Sequence, residues 1–535
     1  MHFHILFILI LTTMSMGQWS TDPLENSLVS GAPGEQAIPK AAITSTGETY
    51  ISWFSVENGN YNIRLQYFDH QGMPQLAHDG MLVSDAPSMT WLTDYDLIID
   101  AADHAVLTWQ DVRFGSNNIV AQRISPAGDL IWGPDGLELS NNPDFEPGGK
   151  LAILDDGHIL VAWQSAGDLT VIRMDKISMG GDLVWPDTIV LSAPPGASAT
   201  YPQPVAAQDG SFILVWYEET GPLWSPNREI KAQRFSPTGD ALWPTATSVS
   251  LGDYIPVYVQ PQVISNEDGG CFIAWYCGRD PNPNHLTSFV QHVAADGSIQ
   301  METNGVELST HPSNIHLNPS LVWNQGTQHL FAYWIEETAN QNQYGISGQK
   351  LTANGQRLWG GSGLSIQPLE DGQISHLSAR PAGNGVVLTY SRNIFGNVTD
   401  VAILALRLDA DGAPVWPAQP VELSAVVSAK LHPMTTAFGG NQLVSCWGDE
   451  RGQDRDIYAQ NLSLSGTLGP EQMIQPGDVN GDGSIDVLDI VRAVNIIVDF
   501  GDPPTDYELL AADINGDEVI NILDIVLIVN IIVGT

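Results

Sequence analysis

Eight strand-like runs, "YISWF", "VLTWQ", "LVAWQ", "LVWYE", "FIAWY", "FAYWI", "VLTYS" and "VSCWG", set one aromatic residue on a long period. Trp53, Trp109, Trp163, Trp216, Trp275, Trp334, Tyr390 and Trp447 follow one another at intervals of 53 to 59 residues. Behind most of them comes a second strand pattern with a glycine turn, as in "IVAQRISPAGDLIW" and "ISGQKLTANGQRLW". In six units a glutamine, at positions 66, 122, 233, 291, 349 and 460, precedes the turn glycine by six residues. A fixed period of this kind marks a repeat architecture, in which each unit buries its faces against its neighbours.

Each unit parses into four short strands: one before a tight "DG"-type turn, the Trp strand, the Gln strand, and one ending near "LELS" or "VELS". Four antiparallel strands per unit suit a propeller blade. The expected body is therefore an all-β, eight-bladed propeller over residues 18–470, with seven blades or a string of small sandwiches as the alternatives. The Trp series, flanked by apolar and β-branched neighbours, reads as packing between blades rather than as a row of sugar platforms.

The ends and the charge narrow the setting. The run "MHFHILFILILTTMSMG" carries about a dozen apolar residues and then Ser15 and Gly17, a small-x-small pattern that suits signal peptidase. A signal peptide over 1–17, cleaved before Gln18, is expected, an uncleaved anchor being the alternative. No later apolar stretch reaches the roughly 18 residues of a membrane span. Sixty-one acidic residues against twenty basic ones give a net charge of −41, which repels phosphate backbones, so nucleic acid is excluded as a partner. Cys271, Cys277 and Cys446 sit in apolar runs and read as core residues.

Loop length separates two faces of the body. The connections before the Trp strands are tight, whereas those after them are long and irregular ("YEETGPLWSPNREI", "IEETANQNQYGI") and gather charge. Long loops on a rigid scaffold are where function usually sits. Glu218, Glu219, Glu336, Glu337 and Asp449 are the candidate carboxylates for glycoside cleavage, which needs two such groups on either side of the bond. A second candidate series stands before the first strand of successive units: Trp91, Phe145, Tyr201, Tyr258, His316, His376 and His432. Around a channel mouth, aromatic faces could stack on sugar rings, and the three imidazoles could hold a metal.

The chain ends in two near copies, "GDVNGDGSIDVLDIVRAVNIIV" and "ADINGDEVINILDIVLIVNIIV". A calcium loop places oxygens at positions 1, 3, 5, 7, 9 and 12. The first copy supplies Asp478, Asn480, Asp482, the Ser484 carbonyl, Asp486 and Asp489; the second supplies Asp513, Asn515, Asp517, the Val519 carbonyl, Asn521 and Asp524. Two calcium ions are expected. Each loop runs into a helix-length apolar segment, and no amphipathic helix is legible before either.

This duplicated loop-plus-helix, with Asp at position 12, resembles the dockerin module of type I. The resemblance covers about a tenth of the chain, residues 471–535, as a small all-α domain. It implies calcium at the residues just named, a cohesin-like scaffold domain as partner, and an extracellular polysaccharide-degrading assembly. Two positions depart from the family pattern. Glu518 stands where the second loop needs its turn glycine, and Val487, Leu488, Ile522 and Leu523 occupy positions 10 and 11, where dockerins commonly present polar residues to cohesin. The reading is a secreted, free or surface-attached protein whose propeller recognises a ligand, a polysaccharide among the candidates. A glycan hydrolase or lyase is the alternative.

Overall fold

The computed structural model describes residues 18–535 except 89–93, 114, 223, 280, 394–396, 471–475, 482–483, 499, 502–503, 505, 516–518 and 534–535. The expected leader, 1–17, lies outside the described residues. Two compact units meet between Gly469 and Pro470.

The first unit is eight antiparallel sheets of four strands each, which decides for eight blades over seven. In blade 1 the order from the axis outward is Gln36–Ile43, Thr49–Glu57, Asn60–Phe68 and Met81–Ser84. Six further blades repeat this order along the chain. The eighth does not: its inner three strands are Lys430–Thr435, Gln442–Asp449 and Asp456–Ser463, and its outermost is Ser27–Ser30 from the other end of the chain. Ser27 pairs with Ala459 and Leu28 with Tyr458. One sheet thus joins both ends of the ring.

The recurrent residues hold the blades. The aromatic series is buried throughout, from Trp53 to Trp447, as blade-to-blade packing demands. The buried glutamines strap the connection to the outer strand. Gln122 donates to the Gly133 carbonyl at 2.6 Å and accepts from the Trp132 N–H at 3.0 Å; Gln66, Gln233, Gln291 and Gln349 make the same two bonds. The turn glycines have φ > 0, and Gly72, Gly239, Gly297 and Gly466 also lie against an indole, whereas Gly128 and Gly355 meet aliphatic and Met side chains. A Cβ on Gly297 (φ 85°) would meet Trp243 at 2.7 Å. Cys271, Cys277 and Cys446 are buried free thiols.

Among its described residues the second unit holds three helices: α1 (Val487–Ile497), α2 (Asp506–Ala512) and α3 (Ile522–Val533). Helix α2, missed in the sequence, leads directly into the second loop. Asp486 caps α1 by accepting the Leu488 N–H, while Asp489 reaches back to the Asp486 N–H. The core is Val479, Ala493, Ala512 and Ile528 with a surround of isoleucines, and α1 packs on α3.

Candidate functional site

The inner strands of blades 1, 4, 6, 7 and 8 share a fault in register. Pairing skips between Ala37 and Lys40, Thr200 and Gln203, Leu317 and Ser320, Ser375 and Ser378, and Leu431 and Met434. Inside each gap one residue has a left-handed backbone: Ile38 (φ 48°), Tyr201 (53°), Asn318 (51°), His376 (53°) and His432 (51°). Such a conformation costs a non-glycine residue about 1–3 kcal/mol and persists where the surroundings impose it. These five lie 14 to 16 residues before the aromatic of their blade, and the same offset in the other blades marks Asp94, Gly148 and Gln260. At Gly148 a Cβ would strike the Asp94 carbonyl at 2.2 Å.

Counting from the aromatic therefore gives a ring of Ile38, Asp94, Gly148, Tyr201, Gln260, Asn318, His376 and His432. Asp94, Gly148, Tyr201 and Gln260, from four successive blades, line one cavity of about 550 Å3. Of the expected series, Tyr201, His376 and His432 hold ring positions. Phe145 sits three residues ahead of Gly148, half exposed, and lines the same cavity; Tyr258, two ahead of Gln260, is 70% exposed beside a second cavity of about 380 Å3. His316 is fully buried, stacked edge-on to Trp334 with its Nδ1 on the Thr287 hydroxyl, and Asn318 takes the ring position instead. Burial pushes His316 down to about 4. Trp91 lies outside the described residues. Among the described residues no group of three or more His, Cys, Asp or Glu side chains is placed to hold a metal, in the ring or in the tail, and His316 does not share the ring with His376 and His432.

Charge converges on the ring through residues that no local sequence pattern joins. Lys40 Nζ and Lys150 Nζ bracket Asp94 at 2.7 and 2.9 Å, using two of the six lysines in the chain. Burial raises the Asp94 pKa, but the two ammonium groups outweigh it and hold the carboxyl well below its usual range. Gln164 accepts the Tyr201 N–H at 3.2 Å, and the Arg228 guanidinium lies 5.2 Å from the Tyr201 ring centre. The cavity thus offers two aromatic faces, three amides from Gln164, Gln203 and Gln260, and one ammonium–carboxylate pair.

The candidate acids are engaged elsewhere. Glu219 is paired with Arg228 at 2.6 Å. Asp449, fully buried, takes the Trp447 indole N–H at 2.8 Å and Arg451 at 2.6 Å. Burial pushes its carboxyl up, and the bonds from Arg451 and Trp447 more than reverse this, so it stays below its ordinary value. Glu336 binds Asn314 at 2.6 Å and the Ser347 hydroxyl. Glu337 is buried, which holds its carboxyl above the ordinary range. Glu218 has Lys231 at 3.9 Å. Neighbours on one strand point to opposite faces, so neither Glu218 with Glu219 nor Glu336 with Glu337 forms a facing pair.

In the second unit both loops close on a buried aspartate. Asp489 accepts from the Asn480 N–H at 3.0 Å and the Asp486 N–H at 2.8 Å; Asp524 accepts from Ile514 at 3.1 Å and Asn521 at 3.0 Å. Asp478, at the start of the first loop, is also buried. Residues 470–535 hold thirteen acidic residues and one basic one, Arg492, which pairs with Glu508 at 2.5 Å. Among the described residues no lysine or arginine is ion-paired with Asp489 or Asp524, and buried carboxylates of this kind fit a bound cation. Asp482, Asp517 and Glu518 lie outside the described residues. Val487, Leu488, Ile522 and Leu523 are all exposed.

No curated protein matches the chain. Among solved structures, an ulvan lyase bound to a -[GlcA(1-4)Rha3S]- ligand matches at 10% identity and a TM-score of 0.46, over 70% of this chain and 94% of its own. The Dos1 propeller matches at 12% and 0.46, over 84% and 96%. An α-L-arabinanase of Penicillium chrysogenum, complexed with arabinobiose, matches at 16% and 0.35, over 60% and 94%. Residues 476–533 match the family model of the dockerin type I domain. The chain is an eight-bladed β-propeller that carries a type I dockerin domain at its C-terminus.

Proposed function

We propose that this is an exported recognition protein: its propeller binds a polysaccharide chain at the channel mouth, and its tail docks it to a cohesin-like domain. What supports the first half is the cavity on Asp94, Phe145, Tyr201 and Gln260. Aromatic faces beside a few fixed amides and charges are how a concave site grips a polyhydroxylated ligand. What supports the second is the dockerin match, together with the four exposed apolar residues at positions 10 and 11 of the loops. In this reading each loop holds one calcium ion, through Asp478 to Asp489 and Asp513 to Asp524. Calcium there would hold the loops closed and set the ends of α1 and α3 for docking.

The test is a binding panel. The full chain is run by affinity electrophoresis against neutral and acidic polysaccharides, with Phe145→Ala and Tyr201→Ala beside it. Retardation by at least one polysaccharide, lost in both variants, is expected; retardation indifferent to both would remove the site from the mouth. The glycan-cleaving alternative draws on Glu218, with its long contact to Lys231, and on Glu337, whose raised pKa suits an acid. Release of new reducing or unsaturated ends, abolished by Glu218→Gln or Glu337→Gln, would replace recognition by catalysis.

A further inference from the structure

The positions flanking the aromatic series face the next blade, and in four of the eight blades at least one is a large apolar residue: Phe54 in blade 1, Tyr217 in blade 4, Tyr276 in blade 5 and Tyr333 in blade 6. Between blades 1 and 2 the space beside Ser52 is filled by Tyr95, whose hydroxyl meets Ser52 Oγ at 3.0 Å. In blade 7 the flanking residues are Thr389 and Ser391, and between blades 7 and 8 a cavity of about 210 Å3 remains.

Its lining is rich in donors. Ser378 and Thr389 are paired across the sheet, as are Arg380 with Val387 and Ser391 with Ile403, so their side chains share the face toward blade 8. Thr389 and Thr435 hydroxyls meet at 2.9 Å. Ser391 is buried and its Oγ has no hydrogen-bond partner. Arg380 donates to the Thr435, Thr436 and Ala379 carbonyls, which leaves two of its five N–H groups over. Among the described residues no Asp or Glu lines the cavity and no carboxylate pairs with Arg380. Arg64, Arg113, Arg228, Arg279, Arg392 and Arg451 each have one.

We propose that this cavity binds a small carboxylate-bearing molecule, held by the spare Arg380 N–H groups and the Ser391 hydroxyl. A planar carboxylate supplies both the missing counter-charge and an acceptor for the orphaned hydroxyl. The volume limits the occupant to the size of one sugar acid. Burial alone pushes the Arg380 guanidinium down to about 10, as expected of a cation that lacks its counter-ion.

The experiment is calorimetric titration of the full chain with acetate, glucuronate and glucose at one ionic strength, in the wild type, Ser391→Val and Arg380→Gln. The two carboxylates should bind one shared site and compete, and glucose should give no heat. Affinity should fall about ten-fold or more in Ser391→Val and vanish in Arg380→Gln. Unfolding midpoints check that each variant folds; should Arg380→Gln fail, Ser391→Val decides. Glucose binding as tightly as glucuronate, carboxylate binding unchanged in Ser391→Val, or no heat from either carboxylate at millimolar concentration would each overturn the assignment. Acetate carries no sugar, so the result is independent of the polysaccharide reading of the mouth.

Discussion

The Gln460 side chain donates to the carbonyl of Ser20 at 2.6 Å, 440 residues back along the chain. Five other glutamines make this bond within their own blade, to a carbonyl ten or eleven residues ahead. In the last blade that segment is supplied by the N-terminus, and Trp19 there covers Gly72 of blade 1 as Trp243 covers Gly297. Trp19 is 1% exposed, packs on Phe68 and donates its indole N–H to the His70 carbonyl. Trp19→Ala should therefore cost about 3–5 kcal/mol in urea unfolding of the full chain. Trp224→Ala, at a side chain 83% exposed, should stay within about 0.5 kcal/mol. Equal effects would mean that the N-terminal segment does not close the ring.

Asp175 stands where the glutamine series would place its third member, ten residues before Trp185. It accepts only from the Thr188 hydroxyl at 3.1 Å, and its Oδ1 is buried without a partner. Burial pushes this carboxyl up to about 6. The folded pKa exceeds the unfolded one, near 3.9, so the folded state is penalised above pH 6 and relieved as the pH falls toward 4. Asp175→Asn should raise stability by about 2–3 kcal/mol at pH 7, and the gain should shrink to nothing near pH 4. Asp175→Gln should do at least as well, since it can restore the strap. Chemical unfolding at the two pH values checks both, and a gain that does not vary with pH would contradict the buried-charge account.

How much of this was legible depended on the distance between partners. The aromatic and glutamine series show in the sequence because each serves a bond or contact repeated in every blade, with its partner about ten residues away or in the adjacent unit. The closing strand did not show, because Ser27–Ser30 is four residues long and pairs with a strand more than 400 residues distant. The ring was read two or three residues early at Phe145, Tyr258 and His316, since a skipped register breaks the alternation from which a face is judged. The offset of 14 to 16 residues from the aromatic points to Asn318 and Asp94. Lys40, Asp94 and Lys150 come from three different blades, and no local pattern joins them.

Glu219 is paired with Arg228 rather than left open to a ligand. The guanidinium lies 4.7 Å from the Tyr217 ring and 5.2 Å from that of Tyr201, pinned by its 2.6 Å bond to Glu219. Tyr201→Ala should lower polysaccharide affinity about ten-fold or more. Glu219→Gln keeps the shape and weakens the pin, so its loss should be smaller and should appear as faster dissociation. Surface plasmon resonance on an immobilised polysaccharide separates the two. Dissociation rates left unchanged by Glu219→Gln would mean that the pin does not steady the Tyr201 ring.

The two tail loops are built alike around Asp489 and Asp524, and this gives the calcium reading its sharpest test. Each aspartate is fully buried and gathers backbone N–H groups from both ends of its loop. Thirteen acidic groups share the unit with a single arginine, so without a cation the loops repel themselves and the helices that follow them are short. Val and Ile are modest helix formers, and helices of eleven and twelve residues depend on packing for their stability. Removing calcium with a chelator should lower helical circular dichroism in the full chain and abolish docking, while the propeller's thermal transition stays in place. Asp489→Ala and Asp524→Ala should each reduce the calcium stoichiometry by one ion, and the double variant should bind none. If Asp524→Ala leaves the stoichiometry unchanged, the second loop holds no ion, and its packing through Ile528 and Ala512 must then keep α3 in place without one.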